Sequence, residues 1–388
     1  MQRLIMTAAA LAGAAALSSA FAEPSRHVRR FPRTLYFAEI PLVTTYGNGN
    51  PWTGWTGRWV DWPLMVDRSI PYKEGYQYYV TWPDLLRTLT EMELGGMDGA
   101  TFNVAGRNND LLIADAIRRG ERFPVMMMPD YPPGKRQDGY KTPDKEDEPW
   151  FAPAFYNKHG CFFEGKPVIT SYWTFRTSAA EIEERHAYLK EKHGDYWFVP
   201  NSGLFSPSKW QAKIRTGEGI SAADIEAAKE KLRNNLRHAD GARWAGYNAV
   251  TDIFDGERSF DPDFFRKYVK PIILEVYAEP EFNGRKFFGM MVGMGHANSY
   301  TFGNRNSSDG TRTLREMLAL AFETNPDIVL YFEWNEWNEN TGVAPSVWNS
   351  FAPRRISRAM RAAYEGRPNE PLAGDDTTVP NLILSLRK

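Results

Sequence analysis

The stretch Asp327-Ile-Val-Leu-Tyr-Phe-Glu-Trp-Asn-Glu-Trp-Asn-Glu-Asn-Thr341 begins as an apolar run and ends as a row of acids and indoles. An apolar run without polar alternation suits a strand covered on both faces, the situation of a parallel sheet. The same form recurs upstream at 35–40, 97–104, 124–128, 167–172, 196–200, 247–253 and 286–294, with 327–334 the last of the series. Helical patterns lie between most of these runs, at 81–92, 109–119, 178–193, 221–239, 263–278 and 313–323, and a further one follows at 353–365. Several stop at glycine, as at Gly95-Gly96, Gly120, Gly194 and Gly241, where a left-handed residue can close the last turn. Strand then helix, repeated along the chain, predicts a single (β/α)8 barrel; an open doubly wound sheet is the alternative. No G-x-G-x-x-G follows an early strand, which argues against a dinucleotide-binding version of that alternative.

Two long segments, 47–79 and 129–165, follow the first and third expected strands and should overhang the C-terminal face of the barrel. The first carries Trp52, Trp55, Trp59 and Trp62. Residues 1–22 read as a secretory signal peptide, with Arg3, an Ala-rich apolar run and Ala20-Phe21-Ala22 as the cleavage site. The barrel is then expected over 23–368, with 369–388 as a tail packing on it, and the mature protein is expected to be periplasmic or secreted. The 388 residues carry 47 Lys and Arg against 48 Asp and Glu, so no global basic field exists to bind nucleic acid. Cys161 is the single cysteine, which excludes an internal disulfide framework and any multi-cysteine metal site. Aromatic residues make up 14% of the chain, more than a core alone asks for, and point to stacking surfaces.

Chemistry is expected where the last strand runs out. Glu333, Glu336 and Glu339 alternate with Trp334 and Trp337 there. Carboxylates among indoles are poorly hydrated; desolvation and mutual repulsion split such a pair into a protonated acid and an ionised base. Glycoside cleavage uses a pair of this kind, and Trp334 and Trp337 offer faces on which sugar rings can stack. The plainer alternative is a solvated acidic loop with its indoles packed downward.

Trp334-Asn335-Glu336-Trp337-Asn338-Glu339-Asn340-Thr341 resembles the strand-eight signature of glycoside hydrolase families 71 and 99, in which Asn, an acid, an aromatic and a second acid follow in order. Upstream, 96–103 and 165–172 are similar to the strand-two and strand-four segments of family 71, so the resemblance spans most of 34–345. It implies a (β/α)8 enzyme acting on α-linked glucans or mannans. Endo action and a monomer are expected, and no cofactor or metal, since the six His are scattered and no H-E-x-x-H occurs. Carried over, Glu339 is the general acid and Glu336 the general base. In family 99 the first acid is thought to deprotonate the sugar 2-hydroxyl; in family 71 the base activates water with inversion. Asn340 departs from the usual Gly or Ser, and Glu333 stands where a small polar residue is usual; Glu333 reads either as a third active carboxylate or as a structural acid paired with an Arg.

The other strand ends supply candidate substrate contacts, each with a structural alternative. Glu39 closes the first strand and either binds hydroxyls or makes an ion pair. Asn103 closes the second, where an amide can bind two adjacent hydroxyls. Tyr172 and Trp173 are platforms or core. Asn248 and Asp252 lie on the expected sixth strand. His296 and Tyr300 follow the seventh; for His296 a hydrogen-bonding role is favoured over metal ligation. Asp98 reads as structural, holding a turn, and the run Met126-Met127-Met128 as core filling. A carbohydrate-binding protein that kept the barrel and lost hydrolysis is the second reading, and a metal-dependent hydrolase a third.

Overall fold

The computed structural model describes residues 27–40, 82–103, 113, 115–130, 158–171, 183–184, 186–187, 190–191, 194–201, 210, 213–214, 216–245, 262–293, 296–297, 305–306, 311–331, 334, 343–344 and 351–372. In chain order the strands are β1 (Leu35–Ile40), β2 (Gly99–Asn103), β3 (Met126–Asp130), β4 (Phe162–Phe163), β5 (Lys166–Ser171), β6 (Trp197–Pro200), β7 (Gly241–Ala245), β8 (Phe287–Val292), β9 (His296–Ala297), β10 (Arg305–Asn306) and β11 (Ile328–Tyr331). The helices named below are α1 (Trp82–Leu94), α2 (Ala222–His238), α3 (Lys270–Tyr277), α4 (Arg312–Phe322) and α5 (Ala352–Tyr364). A short turn at Pro262–Phe264 and a π-helical segment at Phe265–Val269 lead into α3. No helix among the described residues is long and apolar enough to cross a membrane.

Nine strands form one sheet in the order β4-β5-β3-β2-β1-β11-β8-β7, with β6 also pairing β5. Only β4 is antiparallel to its neighbour in this sheet; it forms a small hairpin with β5. β9 and β10 make a separate antiparallel pair. β6 and β7, at the two ends of the parallel path, are joined by a single parallel bridge between Asn201 and Arg243 and by the Asp240 N–H donating to the Phe198 carbonyl at 2.9 Å. The sheet is therefore strongly curled, with helices outside it. β1, β8 and β11 are buried along their whole length, as their unbroken apolar runs require.

The register assigns each strand an inner and an outer face, because directly paired residues of parallel neighbours point the same way. Tyr36 faces out: its ring meets Phe322 of α4, and Arg361 of α5 lies 4.3 Å over it. Leu35, Phe37 and Glu39 therefore face in. Phe37 pairs with Gly99. A Cβ on Gly99 would stand 2.0 Å from the Phe37 ring, so β2 must give up a side chain for β1 to place one.

Three aspartates just ahead of strands hold the N-terminal end. Asp98 accepts the Tyr36 N–H at 2.9 Å and is gripped by both terminal nitrogens of Arg33. Asp240 accepts the Phe198 N–H at 2.9 Å. Asp327 accepts the N–H groups of Arg30 at 2.6 Å, Phe31 at 2.8 Å and Phe288 at 2.9 Å. The incoming chain plugs that end: Arg30 lies over the rings of Phe163, Trp197 and Phe287 at 4.5, 4.1 and 4.3 Å. The structural reading of Asp98 agrees with these contacts.

The strand described ahead of β8 is Gly241–Ala245; the expected run at 247–253 lies outside the described residues. One expectation changes. Gly241 belongs to that strand and is not a helix stop; α2 ends at His238 and turns at Ala239 in extended conformation. The Gly96 stop does hold, with φ +84° two residues beyond α1. The signal-peptide segment, the bulk of both long segments and most of the tail also lie outside the described residues.

Candidate active site

The inner face is divided along its length. Toward the N-terminal ends it is aromatic, with Phe37, Trp197 and Phe287. Toward the C-terminal ends it turns polar and stays buried: Glu39 is next to last on β1, Thr101 lies on β2, Asp130 closes β3, Thr170 lies on β5, Asn201 follows β6 and Arg243 lies on β7. All are at most 3% exposed. Register links them: Glu39 pairs with Thr101, Asp130 with Thr170, and Asn201 with Arg243.

Arg243 donates from Nη2 to Asp130 Oδ2 at 3.1 Å, with side-chain exposures of 3% and 0%. β3 and β7 are not sheet neighbours, so this ion pair spans the inner space. Gly289 makes room for it. A Cβ there would come within 3.1 Å of Arg243 Cβ. Charges removed from water this completely persist only when paired. Thr170 Oγ1 donates to the Val199 carbonyl at 2.8 Å and is spent on holding β5 to β6. Among the described residues, Thr101 Oγ1 and Asn201 Nδ2 have no hydrogen-bond partner.

The last strand delivers its continuation to the same end. The Trp334 N–H donates to the Glu39 carbonyl at 2.7 Å, tying the chain beyond β11 to the end of β1. The Ala344 N–H donates to the Trp334 carbonyl at 2.8 Å, and Val343 is fully buried. Both flanks of residues 335–342 are therefore pinned at the C-terminal end of β11.

Of the expected site residues, Glu39 is placed in this polar layer. Asn103 pairs with Asp130 in the backbone register. His296 lies in the β9–β10 pair, opposite Asn306. Trp334 is enclosed, at 1% exposure, with Cη2 of its indole 3.0 Å from where a Gly95 Cβ would stand. It packs under the turn after α1 and presents no open face for a sugar. Glu333, Glu336, Trp337, Glu339, Tyr172, Trp173, Asn248, Asp252 and Tyr300 lie outside the described residues.

Sequence reading passed over Thr101, Asp130, Asn201 and Arg243. Asp130 directly follows the apolar run of β3, the same signal that flagged Glu39, and was reachable. Arg243 was not, since Gly-Ala-Arg-Trp-Ala has neither an apolar run nor alternation. Among the described residues no group of three or more His, Cys, Asp or Glu side chains stands close enough to hold a metal ion. Buried carboxylates, an amide and a guanidinium on a concave face can exchange hydrogen bonds with a ligand rich in hydroxyl groups.

Among solved structures, the fold is similar to the GH99 endo-α-mannosidase from Bacteroides thetaiotaomicron, with a TM-score of 0.52 and 14% identity, over 86% of this chain and 100% of that one. A structure of the GH99 endo-α-mannosidase in complex with bis-tris-propane gives the same TM-score and identity, over 86% of this chain and 99% of that one. No family model matches the sequence, and a search of curated proteins gives no match. At this identity the likeness concerns the fold.

Proposed function

We propose that the chain is an exported glycoside hydrolase with a closed (β/α)8 barrel, cleaving α-linked glucan or mannan within the polymer. One observation carries the reading: buried polar side chains collect at the C-terminal ends of parallel strands, and both flanks of 335–342 are pinned at that same end. That is the face on which barrel enzymes build their sites. The Asn201–Arg243 bridge and the Asp130–Arg243 pair across the inner space support closure.

In this reading Glu339 protonates the leaving glycosidic oxygen and Glu336 is the base. Both stand in the stretch whose pattern resembles families 71 and 99, and the name of the structural neighbour, an endo-α-mannosidase, favours the mannan side. The buried layer of Glu39, Asp130 and Arg243 forms the floor beneath the reacting sugar. Asn103, Tyr172, Trp173, Asn248, Asp252, His296, Tyr300 and Trp337 are proposed to line the walls. Trp334 is left out, since its ring is covered.

Replacing Glu339 by Gln keeps size and hydrogen bonding and removes the transferable proton. The variant should fold normally, retain glycan binding and lose hydrolysis by roughly a thousandfold or more. Reducing ends released from α-mannan and α-glucan give the measurement. Near-normal turnover would refute the assignment; glycan binding without turnover in the wild type would instead indicate a binding protein.

A further inference from the structure

We infer that Asn201 is a ligand-positioning residue, its amide donating a hydrogen bond to an oxygen of the bound sugar; this rests on the glycoside hydrolase reading above. Asn201 follows β6 at the C-terminal end of the strand. Its backbone fixes it on both sides, with its N–H donating to the Ser171 carbonyl at 2.8 Å and a parallel bridge to Arg243. Residues bridged in this way share a face, and Arg243 faces inward, as its bond to Asp130 shows. The Asn201 side chain is thus aimed at the inner space, 3% exposed, and its Nδ2 has no partner among the described residues.

Two further points sharpen this. An unpartnered buried amide is costly to keep, and a chain selected for folding alone would place Leu or Val at this position. A donor rather than an acceptor suits sugar hydroxyl and ring oxygens beside Glu39 and Asp130, which as carboxylates accept and cannot donate.

The test replaces Asn201 by Leu in the full chain and follows stability and sugar recognition together. A positioning role predicts an unfolding temperature equal to or above that of the wild type, because an unsatisfied amide is removed. It predicts KM for whichever of α-mannan or α-glucan the wild type cleaves to rise roughly tenfold, the cost of one hydrogen bond. A lower unfolding temperature with unchanged KM would make Asn201 a structural residue and overturn the inference. Unchanged KM at equal or higher stability would mean that the amide does not meet the ligand, and would overturn it too. In both cases the wild type still cleaves glycan, so the glycosidase reading survives. If the wild type neither cleaves nor binds either polymer, that reading fails and the inference falls with it.

Discussion

Asp130 and Arg243 show what a side chain must satisfy at the centre of this molecule. Each is buried almost completely, and each compensates the other at 3.1 Å. Removing one partner takes away much of the compensation of the other's buried charge, so Arg243→Met should destabilise by about 3–5 kcal/mol. Adding Asp130→Asn to that variant should restore most of the loss, since a neutral amide tolerates the same surroundings. Denaturant unfolding of the two single variants and the double variant measures the coupling. Equal destabilisation of single and double variants would show that the pair does not act as a unit. The same residues mark where sequence reading stops at this scale. A carboxylate after an apolar run, as at Glu39 or Asp130, announces a strand end. An arginine inside a strand announces nothing, because its burial depends on a partner on β3, which is not a neighbour of β7 in the sheet. Trp334 makes the converse point: an indole between acids reads as a binding face, and only its burial against the turn at Gly95 reveals that it is a packing residue.

Helix α2 shows how far local signals carry. Ser221 and Asp224 form a reciprocal capping box, Ser221 Oγ accepting from the Asp224 N–H at 3.1 Å and Asp224 accepting from the Ser221 N–H at 3.0 Å. Such a start is readable in sequence, as is the charged outer face, which pairs Arg233 with Glu279 and Arg237 with Glu281 across to the segment after α3. The Asp224 carboxylate is held down at about 2, first by the hydrogen bonds from Lys213 and then by those from Ser221. In the unfolded chain an aspartate titrates near 3.9. The folded state thus binds fewer protons between these values, and the contribution is complete above pH ~4 and is lost as pH falls toward ~2. Wild type should therefore lose part of its stability in that window, and Asp224→Asn should lose less over the same pH interval. Parallel pH–stability profiles of the two proteins measure this, and identical profiles would exclude the cap as their source. Most strands were equally readable, because continuous apolar runs at β1, β8 and β11 reflect burial on both faces. β7 was not: its glycine, alanines and arginine leave no local pattern, and only pairing with β8 makes it a strand.

Across the whole molecule, the two ends of the sheet divide the work. Carboxylates do opposite jobs at opposite ends. Asp98, Asp240 and Asp327 stand before strands and are consumed by backbone N–H groups of neighbouring segments. Glu39 and Asp130 stand at strand ends, facing the space toward which Trp334 and Ala344 lead the chain. Conformational integrity and chemistry should therefore separate under mutation. Asp327→Ala removes the acceptor for three backbone donors contributed by the N-terminal plug and β8, at a cost on the order of 3–5 kcal/mol. Because those contacts lie at the N-terminal end, KM and kcat of the fraction that remains folded should match the wild type below the unfolding transition. Glu339→Gln should behave in the opposite way, with unfolding unchanged and turnover lost. Measuring both properties on both variants completes the comparison. A change in KM on Asp327→Ala at a temperature where the protein is fully folded would mean that the ends are coupled through the inner layer, with the Asp130–Arg243 pair the first place to look for the connection.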